Sequence, residues 1–431
     1  MKALTKISTG FLTLAAVALG FTSCSSEDVA SGTNQGKMSS LTLTINTGKS
    51  MGSRATDWTT DDPAGAKKED TENKINRITV GIFSDDGKTL RTIVELGSGD
   101  GTNNTFKSET NGATTKIVTN SLADGDLVKV AVNAPKGHFV GIKTADDFMK
   151  KSEEAKDALT NSTDLTKEAC NNNVPMYGQG TLTPTTPGDN SAFKVSGDKV
   201  TVKHMLAKVS LESLGVDFKA GSAYANAEFT PVAVFLINVP DKMDFTTEVW
   251  NSGAALLHGW SAYDASDATN CTFDYVTGHT NGSSKYAQYL TTENLTATAL
   301  SGTATSTTAK AWFYTLPNAN VDDGATNTSN TKLVIAGKFR ENKNATSPAA
   351  EMVYYSLPIN AVYDASTHKY AKPSAGAGST FQVCPNQYYK CSVTIRTKGS
   401  DTPNTNLTPQ EAEIKVEVTD FVPVSQSAEF N

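Results

Sequence analysis

Apolar residues recur at every second position in short runs along most of the chain. In the first run, Leu41, Leu43 and Ile45 alternate with polar neighbours. That period of two predicts a strand with one buried face. Ile78, Val80 and Ile82, then Leu90, Ile93 and Val94, flank Asp85-Asp86-Gly87 and predict a hairpin over residues 74–96. Similar runs predict strands at 115–119, 127–133, 200–211, 229–239, 311–316, 331–339, 352–359 and 387–395. All are rich in β-branched or aromatic residues and bounded by Gly, Asn, Asp or Pro. The stretch through Val200, Val202, Met205, Ala207, Val209 and Leu211 reads as one strong strand, and a domain boundary is placed near residue 200. One segment breaks the β pattern. Thr144, with Asp147 three positions on, predicts a capped helix over 144–159 with Phe148, Ala155 and Leu159 on one face. Residues 160–190 and 240–310, rich in Ser, Thr and Asn, read as loops.

Many short strands and one short helix predict an all-β chain of β-sandwiches. At 431 residues the chain suits two or three domains. Charged residues make up only 19%, against 38% hydrophobic, which excludes a long coiled coil. The net charge is −7 with no basic patch, so nucleic acid is not expected as a partner. No phosphate loop, nucleophile elbow or zinc motif occurs, and the five His are scattered out of any metal-binding spacing. Neither an enzyme nor a cofactor or metal is expected.

The ends of the chain carry the remaining signals. Lys2 and Lys6 precede an apolar stretch at 11–21 and then Phe21-Thr22-Ser23-Cys24. A positive start, a short apolar run and a small residue are the marks of an export signal. The small residue directly before Cys24 resembles a bacterial lipobox, in which that Cys takes the lipid; Phe21 stands where Leu is usual. Residues 25–37 are polar and read as a tether. Beyond the first predicted strand, Arg54 and Ala55 lie in a stretch of small residues suited to proteolysis, although a lone surface Arg would look the same locally. At the other end Ile414, Val416 and Val418 alternate with charged residues, and Phe421, Val422 and Val424 follow. The polar linker 398–406 makes this an arm with two fates: to fold back on its own sheet or to add to another molecule's. After Cys24 four Cys remain, of which Cys384 and Cys391 flank a Pro-Asn turn. They are candidates for a disulfide, with free buried thiols as the alternative.

Four of these features together resemble the major fimbrial subunit (fimbrillin) family of Bacteroidetes, the stalk proteins of type V pili. They are the lipobox with its following strand and Arg54, the segment Val200-Thr-Val-Lys-His-Met-Leu-Ala-Lys-Val-Ser-Leu211, the segment Pro385-Asn-Gln-Tyr-Tyr-Lys-Cys-Ser-Val-Thr-Ile395, and the alternating C-terminal strand. His204 stands where the family has Arg, and Lys208 keeps the second basic position. The resemblance implies two transthyretin-like Greek-key β-sandwich domains with a short helix insertion. It divides the chain into a lipoprotein signal peptide (1–24), a removable tether and strand (25–54), an N-terminal domain (55–199), a C-terminal domain (200–409) and a donor-strand arm (410–431). It further implies lipidation at Cys24, passage to the outer membrane and cleavage between Arg54 and Ala55 by an Arg-specific protease. The self strand of Leu41, Leu43 and Ile45 would then be lost. Ile414, Val416, Val418, Phe421, Val422 and Val424 of an identical subunit would replace it, head to tail. Accessory anchor and tip subunits are implied as partners, and the fimbrium at the cell surface as the location. The competing reading is a surface-anchored β-sandwich lipoprotein that binds glycan or host protein as a monomer.

Residues 1–54 hold Lys2, Lys6, Lys37, Lys49 and Arg54 against Glu27 and Asp28, a net +3. A chain starting at Ala55 therefore carries −10, where the whole chain carries −7. Such a charge keeps a surface polymer soluble.

Overall fold

A computed structural model describes residues 38–47, 73–97, 105–109, 112–154, 174–245, 255–259, 287–292, 295, 298–306, 310–319, 330–364, 366, 369–371, 383–403, 405 and 412–420. The first part of the chain forms β1 (Met38–Asn46), β2 (Arg77–Phe83), β3 (Leu90–Gly97), β4 (Thr105–Glu109), β5 (Gly112–Asn120) and β6 (Leu127–Val132). A helix, α1 (Ala145–Met149), and β7 (Ser152–Glu154) follow. Then come β8 (Met176–Pro184), β9 (Ala192–Val195), β10 (Val200–Thr201) and β11 (Lys203–His204).

Ten of these strands join in one sheet, in the order β3-β2-β6-β8-β9-β1-β5-β4, with β10 on β1 and β11 on β8. The strand β8 links the two halves, pairing with β6 through residues 176–181 and with β9 through 182–184. One apolar face of each half meets the other. Ile78, Val80 and Ile82 of β2 and Val128, Val130 and Val132 of β6 share a core with Leu41, Leu43 and Ile45 of β1 and Ile117 of β5.

The second part forms β12 (Ala207–Asp217), β13 (Glu228–Ile237), β14 (Val239–Pro240), β15 (Lys242–Asp244), β16 (Leu256–Leu257), β17 (Thr291–Thr292), β18 (Leu300–Ser301) and β19 (Thr303–Ser306). It continues with β20 (Ala311–Thr315), β21 (Lys332–Arg340), β22 (Glu351–Pro358), β23 (Val362–Asp364), β24 (Lys369–Ala371), β25 (Gln387–Ile395) and β26 (Ala412–Asp420). One five-stranded sheet runs β19-β12-β25-β26 with β20 on β12, and another runs β17-β13-β21-β22 with β18 on β13. Their inner faces share a core that includes Val209, Leu211, Phe313, Tyr389 and Val393 from the first and Val234, Leu236, Leu333, Ile335 and Tyr355 from the second. The all-β expectation is borne out, with one short α-helix among the described residues.

The structure differs from the sequence reading in several places, and 240–310, read as loop, holds the short strands β15 to β19. The segment 200–211 is not one strand. Its residues β10 and β11 pair in the first sheet with β1 and β8, and β12 begins a new sheet at Ala207. Val200 and Val202 are buried in the first core and Met205 and Ala207 in the second, so a continuous apolar row hides a crossing between cores. The helix does have its capping box. The Thr144 hydroxyl accepts from the Asp147 amide at 3.0 Å, and the Asp147 carboxylate accepts from the Thr144 amide at 3.0 Å. It ends at Met149 and not near 159, because residues 152–154 extend to pair with β15. Ala155 and Leu159 lie outside the described residues. Finally, β8 occupies the middle of 160–190, where the sequence reads as loop. Its Gly178 and Gly180 carry no side chain to mark the pattern, yet they are needed. A Cβ on Gly178 would sit 2.6 Å from the Thr201 carbonyl oxygen.

Candidate strand-exchange groove

The first of the sequence-predicted site segments, β1, lies inside the sheet. It pairs antiparallel with β5 along its whole length, from Met38↔Asn120 to Asn46↔Gly112. On its other side it pairs in parallel with β9 at residues 40–42 and with β10 at residues 45–46. Along the strand order, β1 is the seam between the hairpin β4–β5 and everything else.

The alternation read from the sequence sets which side chains enter the core. Leu41, Leu43 and Ile45 are at most 1% exposed, and Ser39 and Thr47 continue the buried row. Thr42 and Thr44, on the opposite face, are exposed. The walls around this row come from short pieces of chain. Leu41 stands between Ile117 and Phe193, Leu43 is opposite Thr115, and Ile45 stands between Ala113 and Val200. Small residues let β5 come close. A Cβ on Gly112 would fall 2.4 Å from the Ile45 carbonyl oxygen. Hydrogen bonds pin both ends of β1. The Ser39 hydroxyl donates to the Asn190 carbonyl at 2.9 Å, the Ser40 amide to Ser191 at 3.0 Å, and the Val202 amide to Asn46 at 2.8 Å. Burying three aliphatic side chains gives about 5–9 kcal/mol at roughly 1.5–3 kcal/mol each. Without β1, two strand edges would face each other across an apolar floor, and both would be short of backbone partners.

The second segment, β26, lies in another sheet and at its edge. It runs antiparallel to β25 in unbroken register from Gln387↔Asp420 to Ile395↔Ala412. Ile414, Val416 and Val418 stand opposite Val393, Cys391 and Tyr389, the core-facing row of β25. Of the two fates left open by the sequence, folding back on its own sheet is the one this structure holds. The linker before the strand is also tied down. Among its bonds, Ser400 and Tyr354 of β22 exchange backbone hydrogen bonds at 2.8 and 3.0 Å.

Cys391 and Cys384 are buried and not joined in a disulfide, which is the alternative of buried thiols. The extended strand carries Cys391 away from the Pro385–Asn386 turn. Four residues of strand, from Gln387 to Cys391, span about 13 Å. Meanwhile the Cys384 amide donates to the Tyr389 hydroxyl at 2.8 Å. Burial, and secondarily the Glu212 carboxylate, push the Cys391 thiol well above its usual range, and burial does the same to the Tyr389 phenol. Cys24, Arg54, Ala55, Phe421, Val422 and Val424 lie outside the described residues.

The two internal motifs, far apart in sequence, meet. The Asn386 amide donates to the Leu206 carbonyl at 2.8 Å, and the Asn386 side-chain oxygen lies 3.2 Å from His204 Nδ1. Asn386 has φ of 59°, a left-handed conformation that Asn tolerates better than most residues. Lys208, 1% exposed, is enclosed by the rings of Trp312 and Tyr388, with Nζ 5.2 and 4.9 Å from their centroids. Single-sequence pattern reading did not find this box, because Trp312 lies on a third strand. Among the described residues no cluster of His, Cys, Asp and Glu fit for a metal ion occurs.

The chain thus combines stacked sheets, a seam strand near the N-terminus of the described residues and an alternating C-terminal strand. Residues 39–212 match the model of the major fimbrial subunit protein (FimA) family, a family of structural subunits and not of enzymes. The match bears out the resemblance to the fimbrillins. The whole fold is shared with solved structures. The crystal structure of a fimbrilin (FimA) from Porphyromonas gingivalis is 16% identical, covers 91% of this chain and 99% of its own, and has a TM-score of 0.53. A candidate cell adhesion protein from Parabacteroides distasonis is 15% identical, covers 90% and 98%, and has a TM-score of 0.56. One from Bacteroides eggerthii is 17% identical, covers 90% and 98%, and has a TM-score of 0.54. No curated protein sequence matches the chain.

Proposed function

We propose that this protein is the stalk subunit of a cell-surface fimbria that supports adhesion, polymerised by donor-strand exchange. Its two domains meet between β11 and β12, after His204 and before Ala207, and residues 410–431 act as its arm. The precursor is lipidated at Cys24 and held at the outer membrane until an Arg-specific protease cuts between Arg54 and Ala55. The observation that carries the reading is the place of β1. It is a seam strand with three fully buried aliphatic side chains, and it lies just before the cut. One cut at residue 54 therefore turns a covalent part of the sheet into a separable peptide. Ile414, Val416 and Val418 of a second copy offer the same two-residue spacing, so backbone pairing and side-chain pockets suit either segment. Phe421, Val422 and Val424 extend the contact. A head-to-tail joint that does not close on itself gives a filament, with anchor and tip subunits at its ends.

The home pairing of β26 favours a second reading, in which the arm never leaves and the protein stays a lipid-anchored monomer that binds glycan or host protein. Arg54→Ala separates the two. Under strand exchange this variant retains β1 and forms no heat-resistant ladder, while the unaltered protein from sheared cell-surface material starts at Ala55. A ladder from subunits that still carry residues 38–46 overturns the proposal, as does unaltered protein found only as a monomer starting at a lipidated Cys24.

A further inference from the structure

The chain between β25 and β26 does not run freely from one to the other. It crosses to β22, the edge strand of the opposite sheet, and is fixed there. The Tyr354 amide donates to the Ser400 carbonyl at 2.8 Å, and the Ser400 amide returns a bond to Tyr354 at 3.0 Å. The Tyr355 hydroxyl donates to the Thr397 carbonyl at 2.9 Å, and the buried Ser356 hydroxyl donates to the Pro403 carbonyl at 2.6 Å. Lys398 pairs with Glu351 at the start of β22. The fit is close at Gly399. A Cβ there would lie 2.7 Å from the Tyr354 carbonyl oxygen and 2.9 Å from the Tyr355 ring. These contacts use β22 and none of the atoms of β26.

We propose that residues 396–403 are a fixed strap that stays on β22 when β26 departs to another subunit. This inference rests on the strand-exchange reading above. The donor arm then pivots beyond Pro403, not at the end of β25, and its reach counts from that point. The strap has a second consequence. An edge strand with open backbone groups is a template for another chain. With Ser400 and Pro403 seated along it, β22 is closed to a second copy, so subunits join through the β1 slot and not side by side.

Two disulfide locks test this. Ser400 and Tyr354 form a mutually bonded antiparallel pair, a geometry with Cα atoms about 5.5 Å apart that a disulfide can span. The double variant Ser400→Cys, Tyr354→Cys locks the strap. The variant Val416→Cys stands opposite the native Cys391 and locks β26 to β25. Each is oxidised, verified by mass spectrometry, cleaved and assembled beside its reduced form. The expected result is a full ladder from the strap-locked chain and none from the β26-locked chain. Loss of the ladder on oxidising the strap lock alone overturns the strap. An undiminished ladder from the β26-locked chain overturns the strand-exchange reading instead. Hydrogen exchange on the unaltered protein gives an independent measure. Protection across 396–403 and 351–358 is expected to be equal in monomer and polymer, and its loss in the polymer overturns the strap.

Discussion

At the scale of single residues, the groove depends on volume and on close approach. Leu43 sits at the middle of β1, fully buried, with Thr115 opposite on β5. Truncating a buried Leu removes its transfer energy and leaves a cavity, at a cost of about 2–5 kcal/mol. Leu43→Ala is therefore expected to lower the stability of the uncleaved protein by that amount in urea unfolding. A midpoint equal to the unaltered protein's would mean that β1 holds no part of the core. The sequence showed this row plainly, since Leu41, Leu43 and Ile45 alternate with Ser and Thr. It did not show the walls. Phe193 and Val200 reach β1 through strands of four and two residues, too short to leave a periodic trace. Gly112 matters for the side chain it lacks.

At the scale of elements, the contrast is between a seam strand and an edge strand. Removing β1 severs the hydrogen-bonded path between β4–β5 and the rest of the sheet, whereas β26 has a single neighbour. An edge strand can peel away by breaking one ladder, which makes β26 the mobile partner in the proposed exchange. Cys391 reports on that event. In the folded chain its thiol is buried beside β26 and its ionisation is suppressed by burial. Since the thiolate is the reactive form, labelling is expected to be slow in the monomer. It is expected to rise several-fold in assembled material, where β26 has left, as measured by mass spectrometry of the Cys391 peptide. Equal slow labelling in both states would argue that β26 stays at home. The missed elements have two causes. The residues of β10 and β11 read as one strand with β12 because apolar alternation continues through a change of core. The strand β8 reads as a loop because two of its positions are glycine.

At the scale of the whole molecule, β1 and β26, the self strand and donor strand of the proposed exchange, sit in different sheets of the same chain. Under that proposal a subunit receives at the β1 slot and gives at β26, which is what a linear polymer requires of each member. A peptide of residues 38–46 should compete for the vacated slot. Added to cleaved subunits, it is expected to shorten the heat-resistant ladder in proportion to dose. The same peptide with Leu41, Leu43 and Ile45 replaced by Asp should have no effect. Indifference of assembly to the first peptide would count against the slot as the acceptor.

The amino-acid sequence by itself determined the β class, the buried row of β1, the capping box at Thr144 and the alternating row of β26. These are local matters of periodicity and of hydrogen bonds between near neighbours. Only the tertiary structure decided that β1 is a seam, that β26 folds onto β25, that its linker is strapped to β22 and that Cys384 and Cys391 stay apart. Each of these depends on which strand lies beside which. Strand pairing is settled by burial and backbone hydrogen bonding between segments distant along the chain, and one strand's own alternation does not encode its neighbour.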